Sequence, residues 1–264
     1  MDLELKGKLA LITGASQGIG LAIAKSMAQE GCDLHLVARE PEKLRAVALE
    51  VAQTYGVQVT PHAIDITQAN AVEMLMGECP QVDILINNAG NTPRGTLLNL
   101  DEKTWRSGWE LKIFGYINLT REVYRYMVDK KAGVILNVIG IGAEKLEYAY
   151  VAGSMGNAAL VAFTKTLGSV SMDHGVRVLG VNPGWVETEK SKRSLKKRAL
   201  LELGSEERWR ELTREFPRGH LLAPEEVADV VTFACSSKAG AISGHVITVD
   251  AGFANRGYQP PQTA

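Results

Sequence analysis

Three glycines near the amino terminus, Gly14, Gly18 and Gly20, have the spacing of a phosphate-binding loop. They lie between an apolar run at 9–12, which predicts a strand, and an apolar run at 21–27, which predicts a helix. Glycine allows a sharp turn and a close approach of the backbone to a pyrophosphate, while the helix directs free N–H groups at the same phosphates. A tight turn without a ligand is the alternative, because such turns also collect glycine. The predicted dinucleotide contacts in this loop are Gly14, Ser16, Gln17, Gly18, Ile19 and Gly20.

The elements that must position this loop alternate between strands and helices. Strands are predicted at 8–13, 33–38, 57–63, 82–86, 133–139, 175–181 and 245–249. Helices are predicted at 18–30, 41–54, 68–77, 101–129, 149–172 and 224–236. This alternation indicates an α/β fold, a single doubly wound Rossmann-type domain over 1–264 with a parallel sheet of about seven strands and helices on both faces. Ligands of such sheets bind beyond the carboxyl ends of the strands.

Composition and charge argue against several classes of protein. The 264 residues are 45% hydrophobic and carry a formal net charge of −1, which gives no overall attraction to nucleic acid or to an anionic membrane. The sequence contains no apolar run of membrane-spanning length and no apolar signal-peptide core at the amino terminus, so we expect a cytoplasmic protein. The cysteines and histidines have no metal-ligand spacing, and no metal site is predicted.

Four motifs occur in the order found in one family of enzymes. The glycine loop reads T-G-x3-G-x-G, and it is followed by Asn87-Asn88-Ala89-Gly90, by Asn182-Pro183-Gly184 with Thr188, and by a closing segment at 246–252. The chain thereby resembles the short-chain dehydrogenase/reductase family over nearly its whole length. The resemblance implies hydride transfer between a nicotinamide and a carbonyl or alcohol group of a small molecule. It also implies a homodimer or homotetramer.

The end of the second predicted strand bears on the choice of cofactor. An acidic side chain there would bind the ribose 2′-hydroxyl of NAD, whereas a cation would bind the 2′-phosphate of NADP. The chain has Ala38 followed by Arg39, so NADP(H) is favoured over NAD(H), although Gln17 supplies no second cation. The resemblance assigns further cofactor contacts: Asp65 and Ile66 at the adenine, Asn87, Ala89 and Gly90 at the riboses, Val186 and Thr188 at the carboxamide, and Pro183 and Gly184 beside them.

The resemblance also locates the family's four catalytic positions, and this chain departs from the family at each of them. Where active members have Asn, Ser, Tyr and Lys, the chain has Lys112, Gly140, Gly153 and Asn157. The asparagine and the lysine have thus exchanged places, which predicts a Lys112 ammonium near the ribose or the substrate oxygen; the alternative is a lysine directed to solvent. Tyr150 is the candidate proton donor, filling the space left by Gly153; the alternative is a tyrosine packed at a pocket wall or subunit contact.

The segment 188–220 corresponds to the family's substrate lid. Its cations at 190, 192, 193, 196, 197 and 198 predict an anionic substrate, whereas the glutamates that follow favour a solvated helical face. The tail at 257–264 is expected to be poorly ordered unless it docks on another subunit.

Taken with the family motifs, the sequence predicts an NAD(P)-dependent oxidoreductase with a non-standard active site. A catalytically silent NADP(H)-binding sensor or partner subunit is the second hypothesis, and a lyase or isomerase is the third.

Overall fold

The computed structural model describes residues 1–79 and 81–257, so the predicted tail lies almost entirely outside the described residues. Seven strands form one sheet: β1 (Leu9–Thr13), β2 (Asp33–Ala38), β3 (Val59–Ala63), β4 (Ile84–Asn87), β5 (Gly133–Val138), β6 (Val176–Pro183) and β7 (Val246–Val249). Their order is β3-β2-β1-β4-β5-β6-β7, and every neighbouring pair is parallel. The strand order reverses between β1 and β4, which opens a crevice at their carboxyl ends.

Helices cover both faces of the sheet, which confirms the predicted single Rossmann-type α/β domain. They are α1 (Gly18–Gln29), α2 (Pro41–Tyr55), α3 (Ala71–Glu78), α4 (Glu102–Trp109), α5 (Gly115–Lys130), α6 (Val151–Ser171), α7 (Glu189–Leu203) and α8 (Pro224–Cys235). On one face α1 packs against α2 and α8, and on the other α3 packs against α5. Within the described ranges, no helix combines the length and apolar character needed to span a bilayer.

The central strand β1 shows why the sheet must be covered on both sides. Ala10 and Ile12 point into the apolar core beneath α1, α2 and α8, whereas Leu11 points into the core beneath α3 and α5. All three side chains are fully buried. Because successive strand residues face opposite sides of the sheet, a continuous apolar run is the pattern expected of a parallel strand between two helical layers.

The helix predicted at 101–129 is interrupted in the structure. α4 begins after Asp101, whose side chain accepts a hydrogen bond from the Thr104 N–H at 2.7 Å. Between α4 and α5 the residues Glu110–Phe114 form a π-helical turn. A π turn widens the helix and changes the direction of its side chains, and such turns are frequent at functional sites. Lys112 lies in the middle of this turn.

The helix α7 was not among the predicted helices, although a solvated helical face was one interpretation of the charges in this segment. The helix begins after Thr188, whose Oγ1 accepts a hydrogen bond from the Ser191 N–H at 3.2 Å. A 3-10 helical segment at Glu206–Glu215 follows it, and Leu195 on α7 and Trp209 on this segment belong to one small apolar cluster. The segment 188–220 is thus a folded helical unit with its own apolar contacts.

Candidate active site and cofactor cleft

A cleft of about 520 Å³ lies beyond the carboxyl ends of the strands. The loops after β1, β2, β3, β4, β5 and β6 line it, together with the beginning of α7. It contains most of the residues predicted for the site: Gly14, Ser16, Gln17, Gly18, Ile19, Gly20, Arg39, Asp65, Ile66, Ala89, Gly90, Lys112, Tyr150, Asn157, Pro183, Gly184, Val186 and Thr188. Motifs spread over the chain are therefore brought into one site by the parallel sheet.

The glycine loop has the geometry that a pyrophosphate requires. Gly14 has a positive φ of 68°, and a Cβ there would lie 2.9 Å from the Cα of Ala89, so a side chain is excluded on two grounds. Gln17 precedes α1 without capping it, and the first turn of α1 carries no acidic side chain. The N–H groups and the positive dipole end of this helix are therefore available to an anion in the cleft.

Asn87 does not line the cleft, contrary to the expectation. Its side chain is fully buried and donates to Thr120 Oγ1 at 3.0 Å and to Asn137 Oδ1 at 2.9 Å. The next residue, Asn88, lines the cleft instead, and its side chain donates to the Thr13 carbonyl at 2.9 Å. The physical reason is strand alternation: Asn87 ends β4 facing the interior, and Asn88 is the first residue beyond the strand.

Beside the corner of the cleft beyond β2 lies a second cation, Lys43, which the sequence did not predict for this site; it contacts the lining residue Gln17. Arg39 lies there as predicted. Lys43, in the first turn of α2, donates from its Nζ to Gln17 Oε1 at 2.5 Å. Gln17, which carries no charge itself, therefore binds the ammonium group of Lys43. The signal available in the sequence was a lysine four residues after Arg39, where a helix begins, but its direction depends on how α2 packs.

Lys112 points into the cleft rather than to solvent. Its Nζ donates a hydrogen bond to the carbonyl of Ile139, and its stem packs on Gly90, where an added Cβ would lie 2.9 Å from the lysine Cδ. Desolvation lowers the pKa of Lys112 to about 7, with a smaller contribution from the positive charge of Lys190. At neutral pH the cleft thus contains an amine near its own pKa, which can both hold and release a proton.

Asn157 approaches the same segment of chain from α6. Its Nδ2 lies 3.4 Å from a Cβ placed on Gly140 and 2.9 Å from one placed on Gly142. The side chain is almost fully buried, and its Oδ1 has no hydrogen-bond partner among the described residues. A buried acceptor without a partner costs about 1–3 kcal/mol, so this oxygen is expected to face a donor supplied by a ligand. Lys112 and Asn157 therefore border the same segment, 139–142.

Tyr150 occupies the space above Gly153. It precedes α6, and its ring lies so close to Gly153 that an added Cβ would overlap it. The phenol oxygen lies 3.2 Å from Thr92 Oγ1, and the Arg94 guanidinium lies 4.9 Å from the ring centroid. The second glycine of this helix, Gly156, serves a different purpose, since the π turn and α4 approach α6 there. The Tyr150 ring thus occupies the space that the missing side chain of Gly153 leaves.

These observations define the class of the protein. A doubly wound parallel sheet with a glycine loop at its switch point, followed by an uncapped helix, is a dinucleotide-binding architecture. A model of the short chain dehydrogenase family matches residues 8–199. The chain belongs to that family of NAD(P)-dependent oxidoreductases.

Known proteins are similar to the chain over almost its full length. The 3-oxoacyl-[acyl-carrier-protein] reductase FabG of Aquifex aeolicus is 32% identical over 258 residues, which are 96% of this chain and 99% of the relative. The crystal structure of L-sorbose reductase from Gluconobacter frateurii with NADPH and L-sorbose has a TM-score of 0.89 at 30% identity and covers 97% of this chain and 100% of its own. The structure of an actinorhodin polyketide ketoreductase with NADPH also has a TM-score of 0.89 at 30% identity, and the match covers 95% of this chain and 98% of the ketoreductase chain.

Proposed function

We propose that the protein reduces a ketone carbonyl group of a small, anionic molecule with NADPH, using a non-standard set of catalytic side chains. The observation that carries this proposal is the convergence of Lys112, Tyr150 and Asn157 in the cleft that also contains the glycine loop. All three relatives described above are named as reductases, and two of those names specify a ketone or a 3-oxo group. Their common chemistry supports ketone reduction here.

The dinucleotide would be held along the whole cleft. The glycine loop and the start of α1 would bind the pyrophosphate, Asp65 and Ile66 the adenine, and Pro183, Gly184, Val186 and Thr188 the nicotinamide end. Arg39, which lines the cleft, and Lys43, which is hydrogen-bonded to the lining residue Gln17, support NADP(H), because two nearby cations match a 2′-phosphate better than a 2′-hydroxyl. When bound, the reduced cofactor supplies the hydride.

Lys112 is the proposed proton donor to the carbonyl oxygen. A donor is most effective when its pKa lies near the working pH, and the pKa of Lys112 is lowered to about 7 by desolvation first and by Lys190 second. The bond to the Ile139 carbonyl fixes the direction of the ammonium. Tyr150, with its hydroxyl held near Thr92, would bind the same substrate oxygen and orient it. Asn157 would accept a hydrogen bond from the ribose or the substrate.

The segment 188–220 is the proposed substrate lid. Only two of its cations, Lys190 and Arg193, line the cleft. Lys192 instead lies near two glutamates, and Arg198 pairs with Glu202 and Glu215. The pKa of Lys190 is lowered by desolvation and by the charges of Arg94 and Arg193, so an anion bound between these groups would relieve their mutual repulsion. This local cluster supports an anionic substrate.

The test of the proposed reaction is NADPH oxidation over a panel of ketones, both anionic and neutral. Lys112→Met and Tyr150→Phe are compared with two matched controls on the surface, Lys103→Met and Tyr148→Phe. We expect about 10²- to 10⁴-fold loss of kcat for Lys112→Met and wild-type rates for both controls. If the wild type binds NADPH but reduces no ketone faster than the Lys112→Met variant does, the protein is a silent NADP(H)-binding sensor or partner subunit.

The cofactor preference has a separate test. Arg39→Gln and Lys43→Gln each remove one cation from the corner beyond β2, and Arg45→Gln is the matched control because Arg45 pairs with Glu42 at the surface. Charge-assisted hydrogen bonds contribute about 1.5–3 kcal/mol, so each change should weaken NADPH binding roughly 10- to 100-fold. NADH binding should not change. Equal losses for the two cofactors would contradict the assignment.

We also propose that the protein forms a homodimer or homotetramer. Met155 and Val170 on α6, and Met172 just after it, leave about half of their apolar side chains exposed, and a second copy of the chain would cover this surface. Light scattering coupled to size exclusion should give two or four times the chain mass of 28.6 kDa. A monomeric mass at micromolar concentration would reject the assembly.

A further inference from the structure

A cluster of metal-ligating side chains lies outside the cofactor cleft, at the edge of the sheet. His35 is in the middle of β2, His62 is in the edge strand β3, and Cys79 directly follows α3. The strand register pairs His35 with Thr60 and Val37 with His62, so both histidines project from the same face of the sheet, towards α3. This cluster was not predicted from the sequence, because its members come from three separate segments.

The potential ligand atoms converge on one point. His35 Nδ1 lies 2.6 Å from His62 Nε2, and Cys79 Sγ lies 3.2 Å from the first nitrogen and 3.4 Å from the second. Zinc with bond lengths of about 2.0–2.1 Å to nitrogen and 2.3 Å to sulfur requires roughly 3.3 Å between two nitrogens and roughly 3.6 Å between nitrogen and sulfur. The two sulfur–nitrogen distances are thus within about 0.4 Å of the required value, and the two nitrogens are about 0.7 Å too close; a rotation of the half-buried His35 ring would increase these separations.

A carboxylate supports one of the histidines from behind. Glu78 Oε2 lies 2.7 Å from His62 Nδ1, on the opposite side of the ring from the nitrogen that faces the cluster. Donation from Nδ1–H to this carboxylate fixes the tautomer and turns the Nε2 lone pair towards His35 and Cys79. This carboxylate–histidine arrangement is typical of zinc sites, where it orients the ligand and raises its basicity.

We propose that His35, His62 and Cys79 form a zinc site, with Glu78 as the positioning residue behind His62. Two imidazoles and a thiolate favour a borderline-soft transition metal over magnesium or calcium, and the half-buried His35 leaves access for water as a fourth ligand. The site joins β2, β3 and α3. His62 lies three residues before Asp65, which lines the cofactor cleft, so the expected role of the site is structural: it would hold the edge of the sheet that leads to the cleft.

Cobalt is the probe, because thiolate coordination to Co²⁺ gives a charge-transfer absorption in the near ultraviolet. Metal-depleted protein is titrated with Co²⁺ and then with Zn²⁺, for the wild type, Cys79→Ser and the matched control Cys32→Ser. Cys32 is also fully buried, but its thiol donates a hydrogen bond to the Leu5 carbonyl instead of facing a histidine. We expect one Co²⁺ per chain and displacement by Zn²⁺ in the wild type and Cys32→Ser, and no charge-transfer band in Cys79→Ser.

A second variant keeps the test decisive if Cys79→Ser fails to fold. His35→Gln alters the most exposed of the three side chains, and it should weaken Co²⁺ binding at least tenfold while the thiolate band remains. Three results would overturn the proposal: no thiolate band in the wild type, an equal band in Cys79→Ser, or wild-type affinity in His35→Gln. Any of these would leave the cluster as a hydrogen-bonded pair of histidines supported by Glu78.

Discussion

Replacement of Lys112 by methionine should remove the pH dependence of ketone reduction. The pKa of this lysine is lowered from its ordinary value to about 7, so the ammonium that the proposed mechanism needs is lost as the pH rises through 7. About nine-tenths of the protein carries the ammonium at pH 6, about one-tenth at pH 8 and about one-hundredth at pH 9. The kcat/KM of the wild type should therefore fall roughly 100-fold between pH 6 and pH 9 if the midpoint stays near 7.

The bound cofactor is negatively charged and should move this midpoint upward, so the pKa is measured in the free protein as well. With lysines labelled at the ε carbon, the NMR signal that is missing from Lys112→Met should titrate near pH 7.

The lowered pKa of Lys112 also affects the stability of the protein. Between the folded pKa of about 7 and the higher unfolded value, the unfolded chain binds more protons, so the free energy of unfolding of the wild type should rise with pH. Lys112→Met should lack that contribution.

Two results would refute this reasoning. The first is a Lys112 signal that titrates near the ordinary lysine value, since burial would then not perturb the amine. The second is a Lys112→Met variant that keeps the wild-type pH profile, since the proton would then come from another group. Lys103→Met, which changes an exposed lysine on α4, should follow the wild type throughout.

Three further predictions concern the site and the core. Gly153→Ala should displace the Tyr150 ring, because the new Cβ would overlap it, and should lower kcat as far as Tyr150→Phe does; an unchanged kcat would separate this ring from catalysis. Lys112→Asn combined with Asn157→Lys should be more active than either single variant, because both side chains border one segment; additive losses would exclude coupling. Arg177→Met should lower the free energy of unfolding by at least about 3 kcal/mol in urea denaturation, because it removes four hydrogen bonds that a charged group donates to buried carbonyl oxygens; a loss below about 1 kcal/mol would contradict this.

The sequence was sufficient to predict the sheet, because central strands such as β1 and β4 are apolar runs buried on both faces, and glycine or proline lies near the ends of most strands. Each end of the seven predicted strands lies within about two residues of the observed end. The interruption of the helix at 101–129 was not predictable, because a π turn leaves no mark in the spacing of apolar residues. The helix α7 is absent from the predicted helices because cations separate its few apolar positions, which pack in a small cluster apart from the main core.

The candidate site was predictable where backbone geometry dictates residue type, as at Gly14, where a side chain has no room. It was less predictable where the direction of a side chain depends on packing. Asn87 and Asn88 are adjacent in the chain, yet only Asn88 reaches the cleft, because the strand ends between them. Lys43 was missed for the same reason, since its proximity to Gln17 depends on the orientation of α2.

The most direct test of the proposed function is transfer of deuterium from NADPH to a product. NADPH deuterated at the reactive C4 position is incubated with the wild type and with the best ketone of the panel, and the product is analysed by mass spectrometry. We predict an alcohol with one deuterium on the former carbonyl carbon, formed much more slowly by Lys112→Met. Failure to form a deuterated alcohol with any ketone of the panel, by a protein that binds NADPH, would contradict the proposed reduction.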